Sequence, residues 1–499
     1  MNNPILLKTG GYKGGKIHDL IFCSGIVIFS FVFYSSSLIP TFYADDPIWL
    51  YLGKRFLTQG TFCSYPYYYR PLVTLFFAAQ YFFFKMHYLY YHIFNVVLFT
   101  FGAVLFFILA KIIFKNRLIV YTITVFSVLN PLNFDKINWI GMQSYLWESI
   151  FYLTTFIGFV LYFEKNKTRY FLIYHLAFAG ALWTNETGII LIPLLWVLYF
   201  SLLKEKKAVL KRKDLQRYFL GIFILFLFYA YLYAFKAYPR YSYFNQLGLD
   251  ISWAKLEDFF NFLAIKLSYI ILFFPGGNHF FDVRIFTQAF VVFVLFFLII
   301  ASWISKWFIL WCVLPLLFSY FSPNQHHWMT SLISISSLGV WMLLGYGMQR
   351  FLFYVNHFSS KALKRLLYGS SILFFICTAF YLVGLAKPIG LKHLRQSDKY
   401  NYYADIVKKR CPQINGNLEV YFVDGSSFVY FNKEGDFYSF KKCKGSNLDF
   451  DYLSFLYHLK LLYNNENIKG FAISTKDVSA LAGRENAVIL SFIEGESAL

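Results

Sequence analysis

Residues 88–117 read YLYYHIFNVVLFTFGAVLFFILAKIIFKNR. The first part, 88–110, carries no formal charge, and about 20 such residues make a helix that spans a bilayer. Lys111, Lys115 and Arg117 follow at once. A long apolar run closed by a basic cluster is the pattern of a transmembrane helix ending in the cytoplasm, where Lys and Arg set orientation.

Working outward, the same pattern recurs along most of the 499 residues, of which 58% are hydrophobic and 14% charged. A soluble domain rarely exceeds about half apolar residues, so the chain is integral to a membrane. The formal charge of +20 does not mark a nucleic-acid binder, because its basic residues gather in short loops between apolar runs. Those clusters are Lys8/Lys13/Lys16, Lys111/Lys115/Arg117, Lys165/Lys167/Arg169, Lys204 to Arg217, Lys306 and Arg350/Lys361/Lys364/Arg365. Placing all of them in the cytoplasm predicts a cytoplasmic N-terminus and spans near 19–42, 88–110, 118–134, 142–163, 170–184, 187–203, 217–236, 283–302, 307–322, 328–348 and 367–387. The first run is long and lacks a clear cleavage site, so it reads as a retained helix. Two apolar stretches, Pro71 to Lys85 and Trp253 to Phe274, break the alternation if counted as crossings. They are expected to lie along or dip into the outer interface. The expected fold is an α-helical polytopic membrane protein, with residues 1–387 as a transmembrane domain. Residues 388–499 are expected to form a small α/β domain outside the membrane, with strands near Leu418, Phe428 and Gly470 and a helix between Asp449 and Tyr463. Cys411 and Cys443 fall in that tail and can pair if it lies outside the cytoplasm.

The unusual polar residues then collect on the outer face. Asp45 and Asp46 follow the first span, and Pro47 suits the start of a helix that Asp46 can cap. Capping by one residue does not account for two carboxylates, which can act as general base, nucleophile or metal ligand. Tyr69-Arg70-Pro71-Leu72 ends the same loop. Arg70 has a fork suited to phosphate and equally fits an interfacial Arg that snorkels to headgroups. His92 and Asn95 share a face of the second span, for a substrate or for a bond between helices. Asp135 ends the third span. Glu148 lies inside the fourth, where a carboxylate normally has a partner or a function. Asn185-Glu186-Thr187 is a tight outer turn. Arg284 and the pair His326-His327 are further groups that can meet a phosphate.

Taken in order, Asp45-Asp46, Tyr69-Arg70-Pro71-Leu72, His92-Ile93-Phe94-Asn95 and Asn185-Glu186 resemble the motif series of the GT-C glycosyltransferases. That group includes protein O-mannosyltransferases, the lipid A aminoarabinose transferase, the oligosaccharyltransferase catalytic subunit and TMTC-like bacterial members. The resemblance covers about residues 1–350. Two positions depart from it: Asn185 stands where a Lys usually precedes the Glu, and His327 where an Arg often begins a late span.

The resemblance implies a polyprenyl-phosphate-sugar donor entering from the membrane and transfer with inversion on the outer face of the plasma membrane. The acceptor would be a glycan, lipid or protein. Asp45, with Asp46, would be the catalytic carboxylate. Arg70, Arg284, His326 and His327 would hold the donor phosphate, and Tyr69, His92, Asn95, Asp135, Glu148 and Glu186 would line the pocket. No cofactor is fixed by the resemblance; a divalent cation, magnesium or manganese, at Asp45, Asp46 and Asp135 stays open. The competing readings are a surface-polysaccharide polymerase or ligase and a flippase or transporter of lipid-linked glycan. A transporter would place ionisable groups at mid-membrane and often show an internal repeat.

Overall fold

The computed structural model describes residues 16–35, 38, 42, 46–60, 70–114, 116–130, 133–205, 212–236, 303–320, 329–357 and 360. Further along it describes 369, 376–377, 380, 404–405, 407–409, 418–423, 428–431, 437–441, 458–464, 468–473 and 487–491. The expected spans at 283–302 and most of 367–387, the stretch Trp253 to Phe274, Cys411 and Cys443 lie outside these residues.

The described part of the membrane domain is a helical bundle. Its helices are α1 (Lys16–Phe33), α2 (Asp46–Gln59), α3 (Pro71–Phe84), α4 (Tyr88–Ile113), α5 (Arg117–Leu129), the short α6 (Asn133–Asn138), α7 (Gln143–Lys165), α8 (Thr168–Thr184), α9 (Leu191–Glu205), α10 (Arg212–Lys236), α11 (Trp303–Tyr320) and α12 (Met329–His357). Single 3-10 turns, Ile140–Met142 and Glu186–Ile190, lead into α7 and α9. Among the described residues, three segments are long and apolar enough to cross a membrane: Tyr88–Ile113, Ile140–Lys165 and Glu186–Lys204. Ile17–Phe33, Pro71–Phe84, Arg117–Leu129, Gln216–Leu232 and Ile304–Leu316 are shorter apolar helices. The chain is thus a helical, polytopic membrane protein. α1 ends at Phe33, short of the expected 42.

Local chemistry sets the breaks. Pro71 supplies the fixed φ that starts α3, and the Asn116 carboxamide accepts from the Leu118 N–H to cap α5. α7 ends on Asn166 at φ 50, a left-handed cap that Asn tolerates, and α8 begins two residues on.

Aromatic side chains fill the main core. Phe156 and Phe159 of α7 meet Trp307 and Trp311 of α11, Tyr174 of α8 and Tyr218 of α10. Two glycines allow backbones to touch. A Cβ on Gly53 would lie 2.6 Å from the Phe77 carbonyl carbon, which locks α2 on α3. One on Gly339 would lie 2.9 Å from the Cys312 nitrogen, where α12 crosses α11.

In the tail, β1 (Leu418–Val423) pairs in parallel with β4 (Ile468–Ile473) and β5 (Ala487–Ser491). β2 (Phe428–Phe431) and β3 (Phe437–Lys441) pair antiparallel. β1, β2 and β4 fall where the alternation placed strands, and β3 and β5 go beyond that expectation. A helical turn at 458–462 docks on the α2–α3 pair. Leu461 joins the cluster of Ile48, Trp49, Val73 and Phe77, Lys460 sits 5.8 Å from the Tyr51 ring, and His458 meets Phe42 edge-on. Burial pushes the His458 imidazole down to about 4.

Candidate active site

Of the residues singled out by sequence, Asp46, Arg70, Glu148 and Glu186 come together around the head of α7. Asp46 begins α2 and is fully buried. Its Oδ1 accepts from the Gly141 N–H at 2.6 Å, so the carboxylate ties α2 to the 3-10 turn before α7. Arg70, the residue before α3, lies over the Tyr145 ring at 5.8 Å. Asp46 and Arg70, contributed by two separate loop ends, are thereby held against the stretch 141–145.

Arg70 does not snorkel. It is 5% exposed, and its fork grips Glu186, Nη2 to Oε2 at 2.8 Å and Nε to Oε2 at 3.1 Å. This pairing corrects the interfacial reading of Arg70 and gives the Asn185-Glu186 turn a concrete partner. Asn185 shapes that turn: its Oδ1 accepts from the Thr187 N–H at 3.2 Å. Thr187 then donates its hydroxyl to Glu148 Oε1, and its carbonyl accepts from the Tyr152 hydroxyl at 2.6 Å. Glu148 is fully enclosed, and its Oε2 has no hydrogen-bond partner among the described residues. Arg70, Glu186 and Lys136 are the charges whose fields reach it. A carboxylate so placed is costly unless it serves or is served.

Lys136 of α6 is a residue the sequence reading passed over. It is 4% exposed, and burial pulls its ammonium down to about 7 against partial support from Glu148. A Lys beside Asp135, in a loop assigned to the face opposite the basic clusters, was the signal that could have found it. Asn138, two residues on, is fully buried with neither amide atom bonded to a described residue.

His92 and Asn95 are both buried on α4. Asn95 belongs to a polar ladder between helices. Gln143 Nε2 donates to Asn95 Oδ1 at 2.7 Å and to Gln80 Oε1 at 3.0 Å, and Asn95 Nδ2 donates to the Ile137 carbonyl at 3.1 Å. That is the bond between helices which the sequence left open. The ladder fixes α3, α4 and α7 around the site, and Gln80 and Gln143, polar residues inside apolar helices, were its sequence signal. Asp135 lies in α6, though its side chain is outside the described residues. Asp45, Tyr69, Arg284, His326 and His327 are wholly outside them. Among the described residues no three His, Cys, Asp or Glu side chains come together as a metal site.

No known protein family matches the sequence, and no curated protein does. Among solved structures, the crystal structure of ArnT from Cupriavidus metallidurans in the apo state is similar over 83% of either chain, with a TM-score of 0.45 and 12% identity. The site described above rests on its own geometry.

Proposed function

We propose that the protein is a GT-C-type membrane glycosyltransferase that moves a sugar from a polyprenyl-phosphate donor to an acceptor hydroxyl at the outer face of the membrane. The observation that supports this is the gathering of Asp46, Arg70, Glu148 and Glu186, from four separate segments, around the head of α7. Asp46, Arg70 and Glu186 belong to the motif series, and Glu148 is the carboxylate inside a span that the sequence marks separately.

In this reading the acceptor oxygen attacks the anomeric carbon and the bond to the donor phosphate breaks with inversion. The hydroxyl proton passes to a carboxylate of the first outer loop. Asp46 already uses one oxygen to hold the Gly141 amide, which suits it to positioning and leaves Asp45 as the base. Arg70 supplies the cation that meets the charge developing on the leaving phosphate. Of the three carboxylates open to a cation, only Asp46 has a described side chain, and the step is written without a metal. The N-terminus is cytoplasmic, and the tail, docked on α2 and α3, covers the acceptor side.

The test compares surface glycans and glycolipids by mass spectrometry in cells carrying wild type, Asp45→Asn or Asp46→Asn at matched membrane levels. Loss of one sugar unit with Asp45→Asn supports the reading and names sugar and acceptor together. An unchanged profile with both variants overturns it in favour of transport.

A further inference from the structure

The far end of α7 carries a second concentration of charge that the transferase reading does not use. The helix runs 23 residues from Gln143 to Lys165, or about 35 Å at ~1.5 Å per residue. Its last turn therefore lies a bilayer away from Asp46 and Arg70. Residues 164–169 and 204–217, which end α7, begin α8, end α9 and begin α10, hold ten basic and three acidic side chains. Even with Glu164, Glu205 and Asp214 each paired to a Lys or Arg, seven cations remain in excess. Positive charge orients a membrane helix without any fixed arrangement of the side chains.

Here the side chains are arranged. Lys165 Nζ and the Arg169 guanidinium lie over one ring, Tyr170, at 5.6 and 4.7 Å from its centroid. Arg169 Nη2 also donates to the Tyr170 hydroxyl at 2.9 Å. The Arg217 guanidinium lies 5.5 Å from the Tyr162 ring. Tyr162 in turn packs on Tyr218 of α10 at 5.1 Å and on Phe171 of α8 at 5.4 Å, and the Tyr174 hydroxyl donates to the Tyr218 carbonyl at 3.1 Å. The ring under Arg217 thus belongs to the wall that joins α7, α8 and α10. All three cations are exposed, so they keep their reach to solvent while the rings limit where they sit. Directly below them, Leu172 and Leu176 of α8 and Leu220 and Phe223 of α10 are exposed as well. In a membrane protein such flanks meet acyl chains. Positioned cations above lipid-facing strips on two helices are complementary to an anionic headgroup in that leaflet.

We propose that the end of α7, with the first turns of α8 and α10, is a binding surface for an anionic glycerophospholipid of the surrounding leaflet, its headgroup drawn to Lys165, Arg169 and Arg217 and its chains against α8 and α10. The occupant is a structural lipid and no substrate of the transfer, because the surface lies at the opposite end of α7 from the candidate active site. It does not depend on the transferase reading. Binding makes and breaks no covalent bond: phosphate oxygens replace water on the guanidinium and ammonium hydrogens, and an arginine fork offers two in parallel. The apolar strips below the cations favour a lipid over a soluble anion of the same charge.

The experiment uses the full-length protein in nanodiscs of mixed phosphatidylcholine and phosphatidylglycerol, with the lipids it retains counted by native mass spectrometry. The wild type should retain phosphatidylglycerol in preference to phosphatidylcholine. Arg169→Gln and Arg217→Gln should each lower that preference about fivefold, the worth of one cation at a charged leaflet. Tyr170→Leu keeps every charge, and with it the orientation signal, yet should lower the preference about threefold by releasing Lys165 and Arg169 from their ring. A melting temperature close to wild type shows that this variant folds. Lys85→Gln removes a cation that lies over Tyr81 and Phe82 at the other end of the bundle, and should change nothing. Absence of a preference in the wild type overturns the proposal. So does an equal fall in Lys85→Gln, which would mean attraction to charge anywhere on the protein. A loss in the arginine variants with Tyr170→Leu unaffected overturns it too, reducing the cluster to diffuse orienting charge. Displacement of the lipid by soluble glycerol phosphate as effective as by phosphatidylglycerol overturns the lipid as occupant. Asp46→Asn should retain phosphatidylglycerol as the wild type does, so failure of the transferase reading leaves this result standing.

Discussion

Among the described residues, two ion pairs join distant parts of the bundle, and they differ in what they are for. Asp19 of α1 accepts from Lys111 of α4 and, at 3.1 Å, from the Tyr121 hydroxyl of α5. There the Lys side chain is 48% exposed and the Asp 11%. Arg70 and Glu186 are exposed by only 4% and 17%. The first pair keeps much of its hydration, so it costs little to form and is worth little. The second has given up most of its water, and desolvation of that kind often cancels the attraction. A fold held together by apolar and aromatic packing gains little from such a pair. Its position beside Asp46 and Glu148 makes it part of the site, whereas the pair at Asp19 staples three helices.

Substitutions at and around the two pairs test this contrast. The largest effect is expected from Arg70→Met, which should reduce sugar transfer by about 10²–10³-fold if Arg70 meets the leaving group. It should also lower thermal stability by leaving Glu186 unpaired. Adding Glu186→Gln should restore the melting temperature and leave transfer low. Recovery of transfer in the double variant would reduce the pair to a staple like that at Asp19. Next, Thr187→Val removes the hydrogen bond Glu148 makes and should cost about 1–3 kcal/mol, read as a lower melting temperature in nanodiscs; an unchanged value would mean Glu148 is held by other means.

A smaller effect concerns pH. Lys136 ordinarily titrates at 10.5 and in the fold near 7. Between those values the unfolded chain binds more protons, so stability should rise from about pH 7 to about 10.5. Lys136→Met should flatten that rise, and an identical slope in the variant would place the titration elsewhere. Smallest of all, Lys111→Ala should cost less than about 1 kcal/mol and leave transfer unchanged; a larger loss would mean that this pair carries more than an exposed pair ordinarily does.

Much of the bundle was legible because its signal is local. Nine of the expected spans fall on described helices, since an uncharged run closed by Lys or Arg fixes a span without reference to any other part of the chain. The end of α1 was less so. The expected span runs on past Phe33 to 42, and Tyr34 instead turns inward to donate to the Val128 carbonyl, a contact 94 residues away. The site was legible as residues and not as contacts. Arg70 and Glu186 were both marked, but a bond across 116 residues has no trace in spacing. Lys136 was missed because its burial depends on how α4, α5 and α7 close over α6.

Glu186 is a built-in competitor for Arg70. Any external anion that reaches Arg70 meets a cation already occupied by a tethered carboxylate. The measured affinity is then the intrinsic one diminished by the fraction of molecules in which that carboxylate has let go. Weak apparent binding at this arginine would accordingly report a strong internal ligand rather than a poor pocket, and neutralising Glu186 is the change that would reveal the difference.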